Sequence, residues 1–300
     1  MRLRTLPLSL AGVVCGGVMG YALPDCHPGT HIFLVLTAVS LQILTNLSNE
    51  LGDHLSGVDG EGREGPNYSM TDGGLTVKQM WKAINGTVVA CAVCGLAMVL
   101  VSWTADILSA DAGWKPAVQA GVTLVLGVAA IWASTHYTLG KNPYGYKGWG
   151  DLFVFIFFGL VSVLGSFFVI AHTIDWEPYL ILPAVGMGLL SVAVLNVNNI
   201  RDMASDEGIR KTTPLRIGLK RARWYQTFLV VAGAACFVAV NIDCLFLLPL
   251  FGWHLWGVWS RNGKRLDPML PLLVVTTFLT SLLCAIAWFL ELGVRAKYGC

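Results

Sequence analysis

The feature that most constrains this chain is its repeated apolar runs, such as "IFLVLTAVSLQIL" at 32–44, which are too long for the core of an ordinary small domain. A helix rises 1.5 Å per residue, so about 18–20 apolar residues cross the roughly 30 Å of bilayer hydrocarbon. Nine candidate spans fall near 6–23, 31–52, 82–103, 115–135, 152–171, 179–199, 225–241, 243–259 and 270–293. The seventh and eighth are separated only by Asn241 and Ile242, so one kinked or re-entrant segment is the alternative there. Charged residues make up 13% of the chain, against roughly 25% in soluble domains. The expected fold is all-α: a polytopic membrane helical bundle of about nine transmembrane helices, with residues 1–300 forming a single integral-membrane domain.

With the N-terminus in the cytoplasm, 17 of the 20 Lys and Arg residues fall on that side, the asymmetry that sets membrane orientation. The lipid bilayer is thus one expected partner, and nothing points to nucleic acid. The long polar connections, 53–81, 136–151 and 200–224, all face the same side, which marks it as the working side. Two local patterns carry no chemistry. Cys91-x-x-Cys94 lies inside a span with no partner pair, and the G-x-G-x-x-G of 60–65 lacks the strand and βαβ unit that dinucleotide binding requires.

The second span ends in "NLSNELGDHLSGVD", where Asn46, Asn49 and Asp53 are spaced three and then four apart. The sixth ends with Asn199, Asp202 and Asp206 at the same spacing. Steps of three and four keep side chains on one helical face. The triads lie four spans apart, which predicts two four-helix units with a ninth helix appended.

Glu50, Asp59, Asn196 and Asn198 enlarge the two clusters, and every candidate ligand atom is an oxygen. Such sets suit hard cations, above all Mg²⁺ held by a few carboxylates together with substrate phosphates. Arg63, Lys78, Arg201, Arg210 and Lys211 are interleaved with the acids and would neutralise phosphate oxygens. Solvated helix ends joined by surface salt bridges are the simpler alternative. In the middle connection, Tyr144, Tyr146, Lys147 and Asp151 suit either closure over an aromatic or phosphate-bearing substrate, or an interfacial aromatic belt.

Taken together, these motifs resemble the UbiA-type intramembrane prenyltransferases, and more narrowly the 1,4-dihydroxy-2-naphthoate polyprenyltransferases of menaquinone synthesis. "RTLPLSLAGVVCG" is similar to that family's opening, "LQILTNLSNELGDHLSGVD" to its first acidic motif, "YGYKGWGDLFVFIFFG" to its central motif and "NVNNIRDMASDEGIRKTTPLRIG" to its second acidic motif. The chain departs from the family pattern at three positions: Glu50 replaces an aspartate, Arg210 stands where a glycine commonly precedes the lysine matched by Lys211, and Tyr68 replaces an arginine.

The resemblance implies transfer of a polyprenyl group from polyprenyl diphosphate to 1,4-dihydroxy-2-naphthoate, releasing diphosphate and CO₂ and giving demethylmenaquinol. It implies Mg²⁺ held by Asp53, Asp202 and Asp206, with Asn49 and Asn199 as direct or water-mediated ligands and Glu50 and Asp59 as lesser ones. Arg63, Arg201 and Lys211 would grip the diphosphate; Asn46, Asn198 and Tyr146 would contact substrate, and Tyr144 and Lys147 would meet the acceptor. A bacterial cytoplasmic membrane, with the site open to the cytoplasm, is the implied location. Two rival readings keep the same residues: another aromatic acceptor such as 4-hydroxybenzoate, and a cation-coupled transporter using the triads as its ion site. The central motif weighs against the first. The placement of the acids at span ends rather than mid-membrane weighs against the second.

Overall fold

The computed structural model describes residues 5–21, 23, 29–57, 70, 74–109, 113–173 and 178–298. Asp59, Arg63 and Tyr68 lie outside them. The described chain forms helices α1 (Leu6–Gly20), α2 (Thr30–Leu55), α3 (Val77–Leu108), α4 (Lys115–His136), α5 (Gly150–Ala171), α6 (Pro178–Arg201), α7 (Leu219–Val240), α8 (Leu248–Ser260) and α9 (Met269–Tyr298). No strand occurs among the described residues. Eight helical segments are long and apolar enough to cross a membrane, and α1, at 15 residues, is shorter. This is a multi-pass membrane protein.

Local chemistry explains the boundaries. Proline occupies the first turn of α1, α4 and α8, where its missing N–H removes no helical hydrogen bond. Thr76 and Gln79 form a reciprocal capping box that starts α3 about five residues before the expected span. Asn241 is extended (φ −139°, ψ 114°), and its side-chain oxygen accepts from the Asp243 N–H at 3.0 Å. The chain therefore breaks there, separating α7 from the 3₁₀ turn Ile242–Leu247 and α8, so the seventh and eighth spans are two segments rather than one. In α5 the backbone over Phe155–Gly165 widens into a π-helix, a geometry usually confined to single turns.

The packing repeats with a four-helix offset. α1 lies on α2 as α5 lies on α6; α2 on α3 as α6 on α7; α3 on α4 as α7 on α8. Contacts of α1 with α5 join the two halves, and α9 closes against α1. Of the eight long apolar segments α6 is the most enclosed, with 72% of its apolar stretch buried, whereas α3 and α4 bury only 22% and present Val89, Val93, Val125 and Val128 outward.

The α5–α6 seam is backbone-close. A Cβ on Gly159 would sit 2.5 Å from the Gly188 Cα, so neither position has space for a side chain. Beside this seam, a buried polar chain ties four helices: Asn196 Nδ2 donates to Gln226 Oε1 (2.8 Å), Gln226 Nε2 lies 2.9 Å from His254 Nε2, and His254 Nδ1 lies 3.0 Å from the Met269 carbonyl. A carbonyl only accepts, so Nδ1 carries the proton and Nε2 receives the Gln226 amide N–H.

Gly188→Leu should destabilise the protein by about 1–3 kcal/mol or more, because a side chain must force the seam apart. The matched Gly121→Leu, at a position with open space around it, should leave thermal unfolding in detergent nearly unchanged. Gln226→Leu, which strips partners from Asn196 and His254, should cost about 1–3 kcal/mol in the same measurement.

Candidate functional site

A cavity of about 510 Å³ runs through the bundle between α1, α2, α4, α5 and α6, with the start of α9 contributing Leu270, Pro271 and Val274. On α2 its lining extends from Leu34 to Asp53, a rise of about 28 Å at helical pitch. Its polar end, beside the long connections, carries Asn46, Asn49, Asp53, Asn198, Asn199, Arg201 and Arg210. The remainder is walled by apolar side chains such as Leu8, Val13, Phe157, Phe158 and Phe168.

On α2 the first triad shares one face, as its spacing predicts, and all three members line the cavity. Gln42, one turn before Asn46, donates to the Asn46 side-chain oxygen at 3.1 Å. Thr138, just past α4, donates to the Ser48 carbonyl (2.8 Å) and reaches the Asn49 side-chain oxygen (3.2 Å). That approach requires glycine at 52, where a Cβ would lie 2.5 Å from the Thr138 Cβ.

The second triad does not run along one continuous helix. α6 ends at Arg201, Asp202 leaves the helical region (φ −92°, ψ 9°), and a single turn, Met203–Asp206, follows. The break has an electrostatic partner. Arg201 Nε and Nη2 grip both oxygens of Asp202 (2.7 and 2.6 Å), while Nη1 donates to Asp267 at 2.8 Å and Nη2 to the Asn198 oxygen at 2.9 Å. Arg201 and Asp202, read from sequence as separate phosphate and metal groups, are thus paired with each other, and Arg201 rather than Asp202 borders the cavity.

The two acidic motifs meet at Arg210. Its Nη2 donates to Asp53 Oδ1, its Nε lies 3.6 Å from Asp206 Oδ1, and its guanidinium sits 4.7 Å from the centre of the Tyr146 ring. Tyr146 in turn donates its hydroxyl to Asp53 Oδ1 at 3.1 Å. Burial opposes the Arg210 charge, but Asp53 and Asp206 outweigh it and hold its pKa above the ordinary arginine value. Burial, and then the charge of Asp53, pushes the Tyr146 phenol up, so it stays a donor. Tyr144 lines the cavity, donates to the Ala133 carbonyl (2.8 Å) and stacks on Phe153 at 4.0 Å.

Three expected residues lie elsewhere. Lys147 and Lys211 are exposed and do not line the cavity; the Lys147 carbonyl receives Arg216, and the Lys211 N–H donates to the Tyr146 carbonyl at 3.0 Å. Glu50 is buried, and its carboxylate accepts from the Met70 N–H at 3.2 Å, tethering the connection that follows α2. Sequence reasoning missed the site roles of Gln42 and Thr138, and it placed Arg210 among the phosphate-neutralising cations rather than between Asp53 and Asp206. Gln42 could have been found, because it stands four and seven residues before Asn46 and Asn49; Thr138 leaves no such signal.

Among the described residues no cluster of three Asp, Glu, His or Cys side chains forms a ready-made metal cage. Asp53 and Asp206 share one cation, Arg210, and Asn49 and Asn199 line the adjoining cavity. Oxygen donors gathered about a positive group fit a hard divalent cation bound with several waters and an anionic substrate.

Residues 9–266 match the UbiA prenyltransferase family. The chain is 36% identical to the 1,4-dihydroxy-2-naphthoate octaprenyltransferase of Escherichia coli (strain K12), over 97% of this chain and 94% of that protein. It is 35% identical to the protein of the same name from Mycobacterium tuberculosis, over 79% of this chain and 75% of that one. Its fold is similar to that of a UbiA homolog from Aeropyrum pernix K1, with a TM-score of 0.67 and 13% identity over 97% of this chain and 98% of the other. Fold, motifs and sequence relatives agree: this chain belongs to the UbiA prenyltransferase family.

Proposed function

We propose that this protein transfers a polyprenyl group from polyprenyl diphosphate to 1,4-dihydroxy-2-naphthoate, with loss of diphosphate and CO₂. The observation that carries this reading is the shape of the cavity: a carboxylate, amides and guanidinium groups at one end, and a long apolar bore behind them. A diphosphate with an isoprenoid tail has the same division. The names of these two relatives support the naphthoate as acceptor.

Transfer begins when the allylic C–O bond breaks and its electron pair leaves with the diphosphate. The carboxylate-bearing ring carbon of the deprotonated acceptor bonds to the prenyl carbon. The C–CO₂⁻ bond then breaks, and its electron pair restores the aromatic ring. Magnesium, when bound, would supply charge neutralisation for the departing diphosphate.

Asp53 and Asp206, with Asn49 and Asn199, are the residues that would hold the metal. Arg201 fixes Asp202 within reach of the same end and presents its outer edge to the cavity. Asn46 and Asn198 offer hydrogen bonds to the polar head of a substrate. The Tyr144–Phe153 stack gives a flat surface for the aromatic acceptor. Lys147 and Lys211, exposed near the mouth, draw in the anionic substrates. Phe157, Phe158 and Leu34 line the apolar path open to the tail. The site opens to the cytoplasm from a bacterial cytoplasmic membrane, in keeping with the clustering of Lys and Arg on that side.

Asp53→Asn and Asp206→Asn should each lower kcat/KM for prenyl transfer by about 100-fold or more, read as product formation by mass spectrometry. Unchanged rates in both would overturn the metal-holding role of these carboxylates. Offered 1,4-dihydroxy-2-naphthoate or 4-hydroxybenzoate with the same prenyl diphosphate, the purified protein should prenylate the naphthoate. Product from hydroxybenzoate alone would overturn the acceptor assignment.

A further inference from the structure

We infer that Arg210 is a resident counter-ion that exchanges partners: it joins Asp53 to Asp206 in this structure, and when metal and donor bind it releases both carboxylates and turns to the diphosphate. The inference rests on the function proposed above and adds a role for a residue that the family pattern, with glycine at this position, does not supply.

The geometry carries it. Arg210 lies 157 residues from Asp53 in sequence, yet Nη2 of its guanidinium donates to that carboxylate while Nε approaches Asp206 of the other motif. Its side chain is only 12% exposed and Asp53 and Asp206 are 2% exposed each, so water screens the two carboxylates poorly. Two acids this enclosed repel unless a cation lies between them. The Tyr146 ring beneath the guanidinium holds it flat, and the Tyr146 hydroxyl shares the same Asp53 oxygen.

The backbone allows the exchange without unfolding. The Arg210 N–H is held by the Asp206 carbonyl at 3.0 Å, so the main chain stays in place while the side chain rotates. The cavity is open beside it, since Arg210 is itself a lining residue. A diphosphate brings several acceptor oxygens in the fork geometry a guanidinium matches bidentately. A divalent cation arriving alone brings no acceptor for the displaced arginine and must evict a buried ion pair. Arriving with diphosphate, it leaves the arginine with new partners. Arg210 thus makes metal binding conditional on the donor.

The test uses full-length protein in nanodiscs, with Mn²⁺ binding read by electron paramagnetic resonance in the absence and presence of geranyl thiolodiphosphate, an analogue that does not ionise readily. Wild type should bind Mn²⁺ weakly alone and about tenfold or more tightly with the analogue. Arg210→Ala should bind Mn²⁺ alone about tenfold more tightly than wild type, and should lose most of the enhancement the analogue gives. Arg210→Lys, which keeps the charge without the fork, should fall between them and covers the case in which the alanine variant fails to fold. In EDTA, Arg210→Ala should also melt at a lower temperature than wild type, with Mn²⁺ restoring it. If neither variant strengthens binding of Mn²⁺ alone, or either weakens it, the arginine does not compete with metal and the inference is overturned. Wild-type turnover separates the two failures: if the wild-type protein forms no prenylated product, the proposed function itself is lost, whereas product formation beside unchanged Mn²⁺ affinity in the Arg210 variants removes this inference only.

Discussion

Carboxylates withdrawn from water at the ends of apolar helices must find positive partners, and the polar end of this protein is organised around that requirement. Asp202 finds Arg201, which also holds Asp267 and Asn198. Asp53 and Asp206 find Arg210. Each arginine joins segments that sequence separates widely, so the charge pairs locate the ends of α2, α6 and α9 relative to one another. Such pairs contribute little net stability against well-packed apolar groups, but losing one member leaves a buried charge that is costly. Their effect is to specify one arrangement at the place where chemistry needs it.

Below that layer the bundle is held by a different force. Lipid tails are as apolar as leucine, so helices in a membrane associate through close packing and hydrogen bonds rather than by escaping water. The Gly159–Gly188 seam and the Asn196–Gln226–His254 chain are one example of each, and both involve α6. The helix that leads into the second acidic motif is also the most enclosed of the eight long apolar segments. Positioning of the site and cohesion of the bundle share an element.

Much of this was legible in the sequence, because hydropathy over about 20 residues and three-four spacing are local signals. The spans, the break at Asn241 and the shared face of Asn46, Asn49 and Asp53 all follow from them. What the spacing could not convey is how side chains pair once distant segments meet. Asn199, Asp202 and Asp206 have the same spacing as the first triad, yet Arg201 draws Asp202 aside and the helix ends there. Glu50, beside the first triad, turns to the Met70 N–H, a contact made 20 residues along the chain. Arg210 stood out as one of several cations among the acids and as a departure from a pattern, and its position between two carboxylates is a product of tertiary structure.

The uneven burial of α4 has a consequence for how a substrate reaches the bore. Thr123, Leu126, Gly127, Ala130 and Ala133 of this helix face the cavity, while Val122, Val125, Val128 and Trp132 face outward with 47–68% of their surface exposed. One helix thickness is all that separates the interior space from the surrounding acyl chains. In solvent terms the bore is a side chamber of the bilayer: an isoprenoid moving between the two exchanges one hydrocarbon environment for another. The free energy of that move is close to flat, so recognition of the donor falls to its charged head.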